Sequence, residues 1–543
     1  MSWVAFFVTI GIVLAYWVAP TILSPFRTPL RTLVGPPSRS WFWGHVKDEL
    51  LGGDGSTLLK WSARYGHVFR LKMLMNIDSL VTTDSKALSY ILTNFDGYSK
   101  PGIARAFMVK LMGNGILTAE GETFRKQNPA FGPAQIRELM DVFLEKAAEL
   151  RDIWATSVEE KSDDIRARID VLPGLSRVAL DIIGLAAPTI LGAQSGFGYE
   201  FNALNSSGQV NPLSQALGQI LGSTTQLSAL NTIMDFMPAL QIFPTRRQTD
   251  RSAARETMMK IGRELVRAKR AAILASSGKD MGSSVKDFDG KDLLTLLMKG
   301  NMAADIPESQ RLSDEEVIAQ IPTFFVAGHE STASSMSWCL YALSLDKRVQ
   351  EKLREELLSI ATDSPSMDDL MSLPYLDAVT RETLRLYPVV VSLLRQATKD
   401  DYIPLDKPFL DKHGRSHNVI PIRAGDQIMI PITSVNNSEQ FWGKDASEFK
   451  PERWAHIPEA ASSIQGVWSN IYTFSGGPRA CIGWRFALVE FKAIIFTLLR
   501  AFEFELAVPP EDIIRRTGIV MRPVVRSEID RGSQLPLLIK PLH

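Results

Sequence analysis

One stretch constrains the fold of this chain more than any other: Phe474-Ser-Gly-Gly-Pro-Arg-Ala-Cys-Ile-Gly483. It holds Cys481, one of only two cysteines in 543 residues. Glycine and proline at this density predict a tight loop, because glycine permits close backbone approach and φ values that other residues avoid. An apolar, sparsely charged run from Trp484 to Phe502 follows and predicts a helix. Cys481 thus stands at a predicted helix N-terminus, where the dipole and free N–H groups favour a thiolate. Arg479, two residues upstream, adds a fixed positive charge suited to a carboxylate or phosphate. One thiolate cannot build a zinc site or an iron–sulfur cluster, which take several ligands. It can serve as the single axial ligand of a haem iron, with Arg479 on a haem propionate. The plainer alternative, and the commoner use of a lone cysteine, is a buried thiol beside a turn.

The surrounding spacing separates these readings. Phe-x-x-Gly-x-Arg-x-Cys-x-Gly, carried by Phe474, Gly477, Arg479, Cys481 and Gly483, resembles the haem-binding signature of the cytochrome P450 family. The resemblance implies haem b with an axial thiolate, and a fold that is mainly α with small β-sheets (α+β). It extends from about residue 35 to 540 and is closest in kind to microsomal, fungal-type members.

A second segment bears on oxygen chemistry. Ser313-x-x-Glu316 is a capping box and predicts a helix running to about Ser344. Inside it stands Ala327-Gly328-His329-Glu330-Ser331-Thr332. Glycine mid-helix costs about 1 kcal/mol relative to alanine, and a buried acid costs more, so the segment needs a reason. A kinked core helix with a partnered Glu330 is the structural reading. A zinc-protease reading of His329-Glu330 fails because Ala333 stands where the second histidine belongs. The segment resembles the oxygen-activation segment of P450 monooxygenases. By that resemblance Ala327 and Gly328 leave room for a diatomic molecule, and Glu330 with Ser331 or Thr332 relays protons. The family usually has threonine directly after the acid; here Ser331 takes that place. Cys339, further along, reads as an inert core residue.

Two more stretches follow in the family's order. Glu382 and Arg385, at i and i+3, share a helix face between about Leu376 and Leu386, which Pro388 ends. A solvent-exposed ion pair, worth little, is the alternative use of such a pair. With Arg453 of Pro451-Glu452-Arg453-Trp454 they resemble the family's Glu–Arg–Arg cluster, a structural device that holds the loop leading to Cys481. Arg395 and Arg479 match expected propionate contacts. One region departs. Phe124 matches the start of a propionate-binding helix, but Asn128 stands where arginine is expected and Pro129 follows. Arg125 or Lys126 substitutes for it, or the helix is truncated, or the segment reflects a faulty gene model.

Elsewhere, alternation at 67–83 predicts strands, and helical spacing covers Ala134 to about Glu160 and Arg251 to Ser276. Segment 183–245 reads as mobile helices and loops, and 277–291 as a surface loop. No interior linker is evident, so a single body over 46–543 is expected. From Met1 to Phe26 no residue is charged, and a bilayer-spanning helix needs about 20 apolar residues. Residues 1–26 are therefore read as a transmembrane anchor, with Arg27, Arg31 and Arg39 keeping the body on the cytoplasmic face. A cleaved signal peptide would need a basic start, which is missing. Residues 27–45, with Gly35-Pro36-Pro37, form a stiff hinge. The sequons at Asn205 and Asn436 then face the cytosol and stay unmodified. Lys+Arg and Asp+Glu balance at 60 each, so nucleic acid is not expected as a partner.

The resemblance implies a single-pass endoplasmic-reticulum haem-thiolate monooxygenase that takes electrons from NADPH-cytochrome P450 reductase, with cytochrome b5 as a further donor. The family's positions for a pocket fall on Ile103, Phe107, Met108, Ile116, Phe324, Ala327, Val390, Val391, Leu393, Ile519 and Val520, and each serves equally well as plain core. An apolar lining suits a hydrophobic molecule such as a terpenoid or another secondary metabolite. A haem-thiolate isomerase or dehydratase, or a haem sensor without turnover, is the alternative.

Overall fold

The computed structural model describes residues 28–49, 53, 55–121, 133–161, 166–186, 201–205, 212–213, 215–216, 246–277 and 313–542. The anchor proposed at 1–26, the Phe124–Asn128 region with Arg125, and the loop expected at 277–291, apart from Ser277, which ends a helix, lie outside these residues. Helices dominate, with small sheets, as the sequence leads one to expect. The chain divides into two compact units: Met1–Pro101, Val390–Ser447 and Ile457–Ala480 form one, and Gly102–Val389, Glu448–His456 and Cys481–His543 the other. Each draws on three separated stretches, which is why no linker marks their boundary in the sequence.

The first unit is built on a five-stranded sheet in the order Val68–Lys72, Asp78–Thr82, Gln427–Ile430, Leu393–Ala397, Tyr98–Ser99. Neighbours are antiparallel except the second and third strands, which are parallel. The alternation at 67–83 thus becomes an antiparallel pair with Phe69 opposite Val81. Helix α1 (Ser56–Tyr65) presents Leu58 to this sheet, where it joins Phe69, Leu71, Val81 and Met429 in a buried cluster. Burying each such side chain contributes about 1.5–3 kcal/mol. Helix α2 (Ser85–Thr93) opens on Asp84, whose carboxylate accepts the Ala87 N–H at 3.0 Å. A long hairpin, Asp401–Leu410 against Ser416–Ile422, completes the unit.

The second unit holds α3 (Gly102–Met112), α4 (Met140–Lys161), α5 (Val171–Ala186), α6 (Arg246–Ser277), α7 (Asp314–Leu345), α8 (Lys347–Leu358), α9 (Pro374–Leu386) and α10 (Trp484–Ala501). The helical run that starts near Ala134 divides at Leu139, between Pro133–Glu138 and α4. Helix α7 is 32 residues long, about 48 Å at 1.5 Å per residue. Its capping box forms as the sequence implies: Ser313 Oγ accepts the Glu316 N–H, and Glu316 accepts the Ser313 N–H. Pro322 lies inside it and removes one ladder hydrogen bond. Helix α7 packs against α5 so closely that a Cβ on Gly328 would sit 3.1 Å from the Ile183 side chain. Trp338 of α7 is buried and stacks parallel on Tyr387, with ring centroids 5.2 Å apart. A three-stranded antiparallel sheet, Ala167–Asp170, Pro536–Pro541 and Phe502–Leu506, closes the unit with the hairpin Ile513–Arg516/Arg522–Val525.

Candidate active site

The Gly-Pro loop folds as a 3-10 turn, Gly477–Arg479, and α10 begins three residues after Cys481. Gly477 is needed for its backbone: φ is +68°, and a Cβ there would lie 2.2 Å from the Leu92 carbonyl oxygen. A side chain there would collide with the end of α2. Gly483 differs, for a Cβ there would meet no atom within 4 Å. Phe474 packs edge-on against Trp468, centroids 5.9 Å apart.

Cys481 is exposed, yet the dense chain around it desolvates the thiol and pushes its pKa up to about 11, outweighing the Gly483 N–H that favours the thiolate. At neutral pH the sulfur keeps its proton until a cation displaces it. The other cysteine, Cys339, is fully buried in α7, and burial raises its thiol to about 12.

In the same unit α7 is buried from Val317 to Val326 and from Thr332 to Leu340, but Ala327 is exposed and Gly328, Glu330 and Ser331 are half-exposed. Two hydroxyls of this turn bond back onto the helix. Ser331 Oγ donates to the Ala327 carbonyl at 2.6 Å, and Thr332 Oγ1 to the Gly328 carbonyl at 2.9 Å. Such back-bonding competes with the ladder and bends helices. The two hydroxyls are not equivalent: Ser331 shares the bared face with Ala327, whereas Thr332 is buried.

Glu330 does not stand as a free acid. Burial alone would raise its pKa, but His329 and Arg522 overcome that and hold it below the ordinary carboxylate value. His329 Nε2 lies 3.2 Å from Glu330 Oε1, and Arg522 Nη2 donates to Oε2. His329 is itself buried, with Nδ1 on the Phe325 carbonyl. Glu330 is therefore a carboxylate at neutral pH, an acceptor rather than a store of protons. Arg522 was invisible to sequence reasoning, since nothing local links it to a residue 192 positions earlier.

The Glu382 cluster forms as expected and is buried, not a surface pair. Glu382 and Arg385 are fully buried, joined by Arg385 Nε to Oε2 at 2.9 Å and Nη2 to Oε1 at 2.8 Å. Arg453 Nε reaches Oε1 at 3.1 Å. Two donors were not anticipated: Trp454 Nε1 to Oε2 at 3.0 Å and the Lys450 N–H to Oε1 at 2.9 Å. Together they fasten segment 448–456 to α9.

The remaining candidates separate by unit. In the second, Ile116 lies in a loop held to α7 by its N–H on Gln320 Oε1 at 2.9 Å, and Phe324 is buried on that helix. Helix α3, carrying Ile103, Phe107 and Met108, packs on α6 and α7, with Ile103 exposed. Ile519 is exposed and Val520 half-buried, on a turn tied by the Met521 N–H to the Val389 carbonyl at 2.7 Å. In the first unit Val391 is buried, Val390 and Leu393 are half-buried, and Arg395 is buried with Nη1 on the Leu394 carbonyl. Also there, Arg479 stacks 3.7 Å over Phe95 and donates to the Tyr98 carbonyl at 2.9 Å. Among the described residues no group of three or more His, Cys, Asp or Glu side chains could hold a bare metal ion.

One accessible thiol and one bared helical turn in the same unit fit a haem held by a single sulfur. The family model for cytochrome P450 matches residues 34–527, and the chain belongs to that family. It is 49% identical over 536 residues to cytochrome P450 monooxygenase 128 of Postia placenta, covering 97% of this chain and 95% of that protein. It is 48% identical over 541 residues to cytochrome P450 monooxygenase 205 of the same fungus, covering 98% and 97%. Cytochrome P450 monooxygenase claP of Ampulloclitocybe clavipes is 33% identical over 528 residues, covering 94% and 93%. The protein is thus a cytochrome P450 monooxygenase, an oxidoreductase whose cofactor is haem with a thiolate ligand.

Proposed function

We propose that this enzyme inserts one oxygen atom from O2 into a hydrophobic small molecule, on a haem held by Cys481. The observation that carries this reading is the exposed Cys481 thiol in a unit whose α7 is bared at Ala327–Gly328. When bound, the haem supplies the oxygen activation, and the thiolate pushes electron density onto its iron. The chain's own residues bind, shield and manage protons. Arg479 and Arg395 are the propionate candidates of the described residues. Ser331 Oγ, on the bared face, is the hydroxyl that exchanges protons with the reaction space. Glu330, held as a carboxylate by His329 and Arg522, is the proton acceptor beside Ser331. Ile116, Phe324 and Ile519 supply apolar surface for the substrate, and a terpenoid or another secondary metabolite suits them.

Electrons come from NADPH-cytochrome P450 reductase, with cytochrome b5 as an auxiliary. Residues 1–26 anchor the protein in the endoplasmic reticulum with the body in the cytoplasm. The anchor rests on sequence alone, since among the described residues no helix is long and apolar enough to cross a membrane. Asn436 cannot accept a glycan in the folded chain: it is fully buried, with its amide on Thr473 Oγ1 and the Tyr472 N–H.

The reduced, CO-bound absorption spectrum tests the reading, and a thiolate-type band is expected. Lipophilic compounds then shift the spin state of the oxidised enzyme. Ala327→Phe fills the bared turn, so haem content should persist while that spin shift disappears and turnover falls on the order of 100-fold. Unchanged substrate binding in this variant would place the pocket elsewhere.

A further inference from the structure

Both propionate candidates, Arg395 and Arg479, meet one short strand of the first unit. Strand Tyr98–Ser99 pairs antiparallel with Leu393–Ala397, which carries Arg395. The Tyr98 carbonyl accepts Arg479 Nη1 at 2.9 Å. Just upstream the chain leaves α2 through a tight turn, in which the Asn94 side chain accepts the Gly97 N–H at 3.1 Å. That turn sets the Phe95 ring against the Arg479 guanidinium, with Cζ 3.7 Å from the ring centroid. Gly477 lies hard against the end of α2, and the same close approach delivers Arg479, two residues on, to this turn.

The two contacts constrain different motions. Stacking on Phe95 fixes the plane of the guanidinium, and the Nη1 hydrogen bond fixes its rotation within that plane. A guanidinium takes a carboxylate through two parallel N–H groups, so plane and rotation together define where the carboxylate can bind. Phe95 is buried, and a cation–π contact is strongest where water is excluded. Tyr98 is fixed in turn. It is fully buried, and its phenol donates to Asp401 Oδ2 at 2.9 Å. Tyr90 of α2 donates to the same oxygen at 3.0 Å. Burial alone would raise the Asp401 pKa, but the Tyr402 N–H and the two phenols hold it below the ordinary carboxylate value. The carboxylate that opens the long hairpin thus clasps the strand whose carbonyl holds Arg479.

We propose that Phe95, with the Asp401–Tyr98 clasp behind it, is a positioning residue that presets Arg479 for a haem propionate. A propionate that meets a preset guanidinium orders less of the chain on binding, so haem leaves more slowly. The same pairing neutralises a negative charge near the iron, which raises its reduction potential. This deepens the haem-thiolate reading and rests on it.

The test uses full-length, haem-loaded protein: wild type, Phe95→Leu, Arg479→Gln and the double variant. Leucine keeps apolar bulk but offers no π face. The thiolate-type CO spectrum of Phe95→Leu should persist, because Cys481 is untouched. Its haem transfer to excess apomyoglobin should quicken on the order of tenfold, the size of a lost cation–π contact in a dry site. Phe95→Tyr restores the face and should restore the wild-type rate. Because Phe95 acts through Arg479, the double variant should lose haem no faster than Arg479→Gln alone. A mere packing defect would add to the Arg479→Gln rate. That additive result overturns the proposal, as does a wild-type rate in Phe95→Leu. Tyr98→Phe should also quicken transfer, and an unchanged rate there removes the clasp. Should Arg479→Gln load no haem, the reduction potential of Phe95→Leu decides: it should fall, and a wild-type potential overturns the proposal. A wild type without the thiolate spectrum instead overturns the haem-thiolate reading itself.

Discussion

Replacing Cys481 by serine abolishes product formation and the thiolate-type spectrum of the reduced, CO-bound protein. Serine matches cysteine in size, so packing at the head of α10 survives. Its hydroxyl is a far weaker acid than the native thiol, whose own proton is already held to about pH 11 by desolvation. The cation that displaces the proton from sulfur does not displace it from oxygen, and the electron-rich ligand is lost. The expected loss is complete rather than graded. Soret absorbance of the purified variant, dithionite reduction under CO and a product assay check it. A Cys481→Ser enzyme that keeps both the spectrum and turnover would mean the iron is held by another group.

Arg385→Ala produces protein without haem. In the native chain Glu382 is fully buried and accepts Arg385 through both oxygens. Deleting Arg385 leaves the Lys450 N–H, Arg453 and Trp454 facing a carboxylate that has lost its nearest positive charge. Breaking one partner from a buried pair costs about 3–5 kcal/mol, a large share of the roughly 5–15 kcal/mol by which a folded protein is stable. The cost falls on segment 448–456, whose Lys450, Arg453 and Trp454 are held by that carboxylate and which leads on toward Cys481. Arg385→Lys should not rescue, because an ammonium cannot span both oxygens in the planar geometry of guanidinium. Haem per polypeptide, measured beside expression level, decides the matter. A fully loaded Arg385→Ala protein would remove the cluster from the assembly of the site.

What could be read ahead of the structure was local. The capping box at Ser313 and Glu316 placed the start of α7 within one residue, and the apolar run after Gly483 placed α10 nearly as well. Glu382 and Arg385 share a face because they are three residues apart on a helix. What escaped was set by distance along the chain. Arg522 meets Glu330 only because a hairpin returns past α7, and with His329 it offsets the burial that would raise the carboxyl's pKa. Glu490 is one of the few charges in the apolar run after Gly483, and only the fold shows both its oxygens buried. The raised thiol of Cys481 likewise comes from tertiary crowding, which outweighs the local dipole argument. Local rules located the groups, and only long-range packing assigned their protons.

The contrast between the two cysteines has a practical consequence. Cys339 sits sealed inside α7 with its proton held to about pH 12, so alkylating reagents cannot reach it while the chain stays folded. Cys481 is open to them whenever iron does not occupy the sulfur. A maleimide dye added to a native preparation should therefore count empty molecules directly: no label on holoprotein, one per chain on protein stripped of its porphyrin, and two after denaturation.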